Sequence, residues 1–161
     1  MEIDLPDVLR EVRDVLGVLY KTPEPPAGLM DFLAISHLNA PGKITERNFR
    51  PSHLPWVTGG QKPVFANATE TLQALEQSDF DPRTTVYLPP ESRTLVTVSN
   101  ASAPKILVRE FAPQRLRIEV EASEPALVVI AQPFYHNWQA NLDGRSASLL
   151  RANHAFQALE V

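Results

Sequence analysis

The chain has 161 residues, 43% hydrophobic, 21% charged and 7% aromatic, with a formal net charge of −4. An ordinary apolar fraction and small net charge argue against disorder, the absence of cysteine excludes a disulfide scaffold or thiolate metal site, and a pI near 5.5 argues against a nucleic-acid partner. The longest purely apolar run is the six residues 126–131, whereas a bilayer-spanning helix needs about 20.

Proline is abundant, 15 residues against 6 glycines, which fixes many corners and leaves little room for long helices. Residues 4–19 place Leu5, Val8, Leu9, Val12, Val15 and Leu16 on one helical face. This predicts an amphipathic helix with Asp4 as N-cap and Pro6 in its first turn. Gly17 interrupts the pattern, and residues 18–20 are expected to turn towards strand. Pro23, Pro25 and Pro26 make 22–28 a connector, and 29–37 reads as a short helix leading into a strand. Prolines and glycines then erase any period from 39 to 63, predicting a long ordered arm pinned by Phe49 and Trp56. Residues 1–63 are thus set apart as an N-terminal helix plus proline-rich arm, and 64–161 as a β domain.

Leu72 and Leu75 share a face within 68–77, predicting another helix with Thr69 as its cap. After Arg83 the period changes. Segments 84–88, 95–98, 106–111, 116–120, 127–131, 138–142, 148–150 and 155–161 read as short strands separated by turn residues. In 115–121 the alternation is strict, with Leu116, Ile118 and Val120 inward and Arg117 and Glu119 outward. Asp143-Gly144 is the strongest turn signal, a two-residue type I′ hairpin. The pattern predicts a mainly β fold, an antiparallel β-sandwich or jelly roll with a small α/loop N-terminal portion.

Candidate chemistry is sparse. Asp79 and Asp81 form a D-x-D pair of the kind that shares a divalent cation with a diphosphate, the basis of one reading as a cation-dependent enzyme. They also fall where a helix exits into a turn before Pro82, a place that favours aspartate for its own sake. His37, His53, His136 and His154 show no metal-ligand spacing, although His136 and His154 flank the last hairpin. Neither a nucleophile motif nor a phosphate-binding glycine loop is present, so no catalytic residue, cofactor or metal is expected. The run Phe134-Tyr135-His136-Asn137-Trp138 carries most interest. Exposed Tyr135 and Trp138, with His136 beside them, would stack on the apolar face of a sugar, as in a self-contained carbohydrate-binding module. The favoured expectation for Trp138 is nevertheless that it fills the core together with Phe134, since large aromatics are buried on average. Arg151 and Asn153 lie in a tight turn and complete the candidate ligand-binding set.

The stretch 132–161 resembles the C-terminal extracytoplasmic region of the YfhO-like bacterial membrane proteins. The matching positions are Tyr135, Trp138, Ala140, Asp143, Gly144, Leu150, Arg151, Asn153 and Phe156, with Asn137 where that family usually has glycine. Leu54–Gly59, 71–88 and 30–38 resemble further segments in the same order, with Trp56 in place of a usual arginine. The resemblance implies an accessory domain, without catalytic residues, of a multi-pass protein similar to glycosyltransferases that use polyprenyl-phosphate sugars. It implies the extracytoplasmic face of a bacterial membrane and continuation of the domain beyond Val161. The implied partners are the membrane-embedded part of the same polypeptide and a cell-envelope glycan.

Overall fold

A computed structural model describes residues 7–21, 23–40 and 42–161. Helix α1 (Asp7–Tyr20) runs without a break through Gly17. Residues 18–20 are therefore helical rather than extended, because Val15, Val18 and Leu19 together bury one stripe in the core. The expected cap Asp4 and Pro6 lie outside the described residues. After an irregular connector, α2 (Ala27–Phe32) buries Leu29, Met30 and Phe32.

The expected arm at 39–63 is more regular than its prolines suggested. It contains most of a ribbon, β1 (His37–Ala40) with β2 (Lys43–Phe49), and a short strand β3 (Val57–Gly59). Strand β4 (Lys62–Phe65) starts before the segment ends. Gly60 makes the corner between β3 and β4 at φ +85°; its N–H donates to the Leu127 carbonyl and its carbonyl accepts from Ser102 N–H. A Cβ there would sit 2.1 Å from the Ser102 carbonyl oxygen, so the close approach needs glycine.

Helix α3 (Ala68–Glu76) forms where predicted, but its cap is Asn67 rather than Thr69. Asn67 Oδ1 accepts from Glu70 N–H at 3.0 Å and Glu70 returns a bond to Asn67 N–H at 2.9 Å. The helix carries the chain over to β5 (Thr85–Leu88), which runs parallel to β4. This is the one parallel pair among the described strands, and parallel pairing requires such a crossover. A short 3₁₀ turn (Pro90–Thr94) follows. Residues 95–98 are not the expected strand. Thr97 N–H and hydroxyl both bind the Glu160 carboxylate, which takes the place of a ladder partner.

The remaining strands are β6 (Lys105–Ala112), β7 (Arg115–Glu121), β8 (Leu127–Pro133), β9 (Ala140–Leu142), β10 (Arg145–Ala147), β11 (Leu150–Ala152) and β12 (Phe156–Glu160). The fold is mainly β and mainly antiparallel, as the sequence predicts. Its centre is a four-stranded sheet in the order β11-β12-β8-β3, accompanied by two-stranded pairs including β6-β7 and β9-β10. Asp143 and Gly144 take φ +50° and +80° between β9 and β10, both positive as a type I′ turn requires.

Strand β8 explains the apolar run at 126–131. Leu127, Val129 and Ala131 face a cluster that includes Val15, Leu29, Phe32, Leu75 and Phe156. Val128 and Ile130 face the other way, joining Val57 under Ile106, Leu116, Ile118 and Val120 of the β6-β7 ribbon. A strand covered on both faces loses its polar alternation. Position 63, where the sequence divides arm from β domain, lies within β4, and side chains from both stretches share the larger cluster.

Candidate functional site

The five candidate ligand-binding residues divide between two places. Tyr135, Asn137 and Trp138 line an open hollow of about 260 Å³, whose other wall is Pro113 and Gln114 in the β6-β7 turn. The Trp138 N–H donates to the Tyr135 carbonyl at 2.9 Å, so a tight turn holds both rings on one short stretch. Tyr135 is 37% exposed, and the exposed His136 is held against it with ring centroids 4.3 Å apart. His136 does not itself line the hollow. Trp138 is half-buried and belongs to neither hydrophobic cluster, so the core position favoured for it from its size is overturned.

Arg151 and Asn153 stand elsewhere. Arg151 pairs with Glu11 of α1, and its guanidinium lies 5.1 Å from the Phe134 ring centroid. It lines a more enclosed cleft of about 210 Å³ with Glu11, Asn67, Thr71, Tyr87 and His154. Asn153 is buried and structural. Its Oδ1 accepts from Tyr87 N–H at 2.9 Å and its own N–H donates to the Tyr87 carbonyl at 2.8 Å. These two bonds dock the β11-β12 turn on β5. Asn153 and His154 hold φ +45° and +74°, a conformation asparagine tolerates better than most residues. Burial, and then the Asp79 carboxylate, push the Tyr87 phenol above its ordinary value.

His154 and His136 have different neighbours: His154 is packed, with Nε2 3.5 Å from the Asp14 carboxylate. The Asp79-Asp81 pair is engaged in local structure on one side. Asp81 Oδ1 accepts from Arg83 N–H at 3.0 Å, closing the turn after α3. Among the described residues, no three His, Asp or Glu side chains converge as a metal-ligand set.

One polar cluster escaped the sequence reading. Asp31 of α2 is buried and receives Arg50 at 2.6 Å, Ser52 Oγ at 2.8 Å and the Arg83 guanidinium at 3.2 and 3.3 Å. Arg50 also donates to the Ile35 carbonyl, and Arg83 to the Ser52 carbonyl. The cluster ties 50–54 to α2 and to the turn after α3. No spacing in the chain announces it, because its members are 19, 21 and 52 residues from Asp31. Pro113 and Gln114 were equally hidden: they signal a hairpin end but not what the hairpin faces.

Comparison with known families, curated proteins and solved structures finds no match.

Proposed function

We propose that this chain is a non-catalytic, extracytoplasmic accessory domain of a multi-pass bacterial membrane protein, and that it contacts a cell-envelope glycan at the Tyr135–Trp138 hollow. The observation that carries the glycan reading is the convergence of Tyr135 and Trp138 with Asn137 and Gln114, two residues with side-chain amides, around one open space. Sugar rings present apolar C–H faces to aromatic rings, and their hydroxyls need groups that both donate and accept, which amides supply. The membrane-associated part of the reading rests on the resemblance of 132–161.

The test is a titration of cell-wall oligosaccharides followed by tryptophan fluorescence in a Trp56→Phe background, which leaves Trp138 as the reporter. A saturable change that Trp138→Ala and Tyr135→Ala remove in calorimetry is the expected result. Unchanged fluorescence with every glycan, or undiminished calorimetric binding by Trp138→Ala, overturns the glycan reading. A parent gene without hydrophobic spans would overturn the membrane reading.

A further inference from the structure

Strand β7 (Arg115–Glu121) has the sequence RLRIEVE and, among the described residues, pairs with β6 and no other strand. Its second edge carries backbone N–H and C=O groups with no ladder partner there. Open edges are the usual route by which sheets join. Leu116, Ile118 and Val120 lie half-buried against the core, while Arg115, Arg117, Glu119 and Glu121 all face outward.

The charges are antisymmetric about Ile118. Placing a second β7 antiparallel, with Ile118 opposite Ile118, brings Arg115 against Glu121 and Arg117 against Glu119. By the two-fold, each pair occurs twice. The inward faces match in the same register, Leu116 opposite Val120. Other registers fail on their own terms. A slip of one residue would turn apolar residues out. Shifting the centre to Arg117 or Glu119 sets one like-charged pair at the two-fold and leaves only two opposite pairs in place of four, and parallel in-register pairing sets like against like along the whole strand. The ion pairs to β6 do not block this arrangement. Lys105–Glu121 at 3.2 Å, Arg109–Glu119 at 2.7 Å and Arg115–Glu110 at 3.5 Å lie on the β6 side and are solvent-exposed.

From this complementarity we propose that β7 pairs edge to edge with β7 of a second copy of the chain, forming a two-fold dimer with a continuous β6-β7-β7-β6 sheet. A two-fold interface uses the same patch on both partners, which the antisymmetric charge order of β7 satisfies.

The experiment is sedimentation and light scattering of the whole chain over a dilution series. Wild type is expected to dimerise, more weakly at high salt. Two charge variants are compared: Arg115→Glu with Arg117→Glu, which makes the edge wholly acidic, and Glu119→Arg with Glu121→Arg, which makes it wholly basic. Each is expected to weaken self-association at least about tenfold, and their equimolar mixture to recover a dimer containing one of each. Circular dichroism checks that each is folded. If a double variant fails to fold, Arg117→Glu is measured alone and then with Glu119→Arg, which restores opposite signs in the same register. The combination must regain the association that the single change loses. A wild type that stays monomeric at every concentration, folded variants that dimerise like wild type, an unmixed pair, or no recovery on restoring the signs overturns the proposal.

Discussion

The Asp31 carboxylate and the Arg50 guanidinium meet at 2.6 Å with their side chains only 7% and 11% exposed. Arg83 reaches the other carboxylate oxygen at 3.2 Å from a much more exposed position, 46%. The two arginines therefore differ in what their loss does. Removing one member of a buried pair leaves an uncompensated charge, whereas an exposed partner is largely replaced by water.

Asp31→Ala is accordingly expected to destabilise the fold by about 3–5 kcal/mol, since it strands Arg50 in a buried site. Arg83→Ala is expected to cost about 1 kcal/mol or less. Urea denaturation of the two variants checks the order. Equal losses would mean that Asp31 is held chiefly by something other than Arg50.

Two helical glycines should respond to alanine with opposite signs. A Cβ on Gly17, inside α1, meets nothing within 4 Å. Gly17→Ala is expected to stabilise by about 0.5–1 kcal/mol through helix propensity. A Cβ on Gly28 in α2 would fall 1.9 Å from the Phe80 carbonyl oxygen, a backbone atom that cannot step aside alone. Gly28→Ala should force α2 away from the turn after α3 and cost roughly 1–3 kcal/mol. Thermal melts of both variants against wild type test the pair.

The β6-β7 ribbon predicts an acid-sensitive contact. The hydrogen bond from Arg109 holds the Glu119 carboxyl below its ordinary value; desolvation opposes it, and the charges of Arg109 and then Arg117 add to the lowering. For a carboxyl lowered in the folded state, the stabilising contribution is present above the unfolded value and lost as pH falls through the folded one. Carboxyl NMR titration of Glu119 should give a lower midpoint in wild type than in Arg109→Gln. An identical midpoint would mean that the pair does not persist in solution. The high exposure of both groups makes the effect weaken with salt.

Some elements were legible because their causes are local. The stripe of α1, the α3 segment and the alternation of β7 are written in residues three or four, or two, apart. Other readings failed where a distant group outweighed the local pattern. The local pattern around Thr97 predicts a strand, but its N–H and hydroxyl bind Glu160, 63 residues on. Thr69 has the side chain of a cap for α3, but the reciprocal bonds between Asn67 and Glu70 begin the helix two residues earlier. The prolines of 39–63 hid β2 and β3 because proline, which cannot donate to a ladder, says nothing of the strands that run between prolines or, at Pro63 in the two-stranded β4-β5 pair, through one. Of the candidate site, Tyr135 and Trp138 were legible as an aromatic run, while Pro113 and Gln114 were not.

By itself, then, the sequence determined the class of the fold, the α1 and α3 helices, strands β5 to β9 and β12 and the Asp143-Gly144 turn, since period and φ preference act over a few residues. Tertiary structure alone decided that β8 would lie buried on both faces, that β3 would join it, and that Arg151 would leave the aromatic run's hollow to pair with Glu11, 140 residues away. It also decided that Trp138 would line a surface hollow rather than the core. These outcomes depend on which surfaces meet once loops close, and no local pattern encodes the identity of a partner so far along the chain.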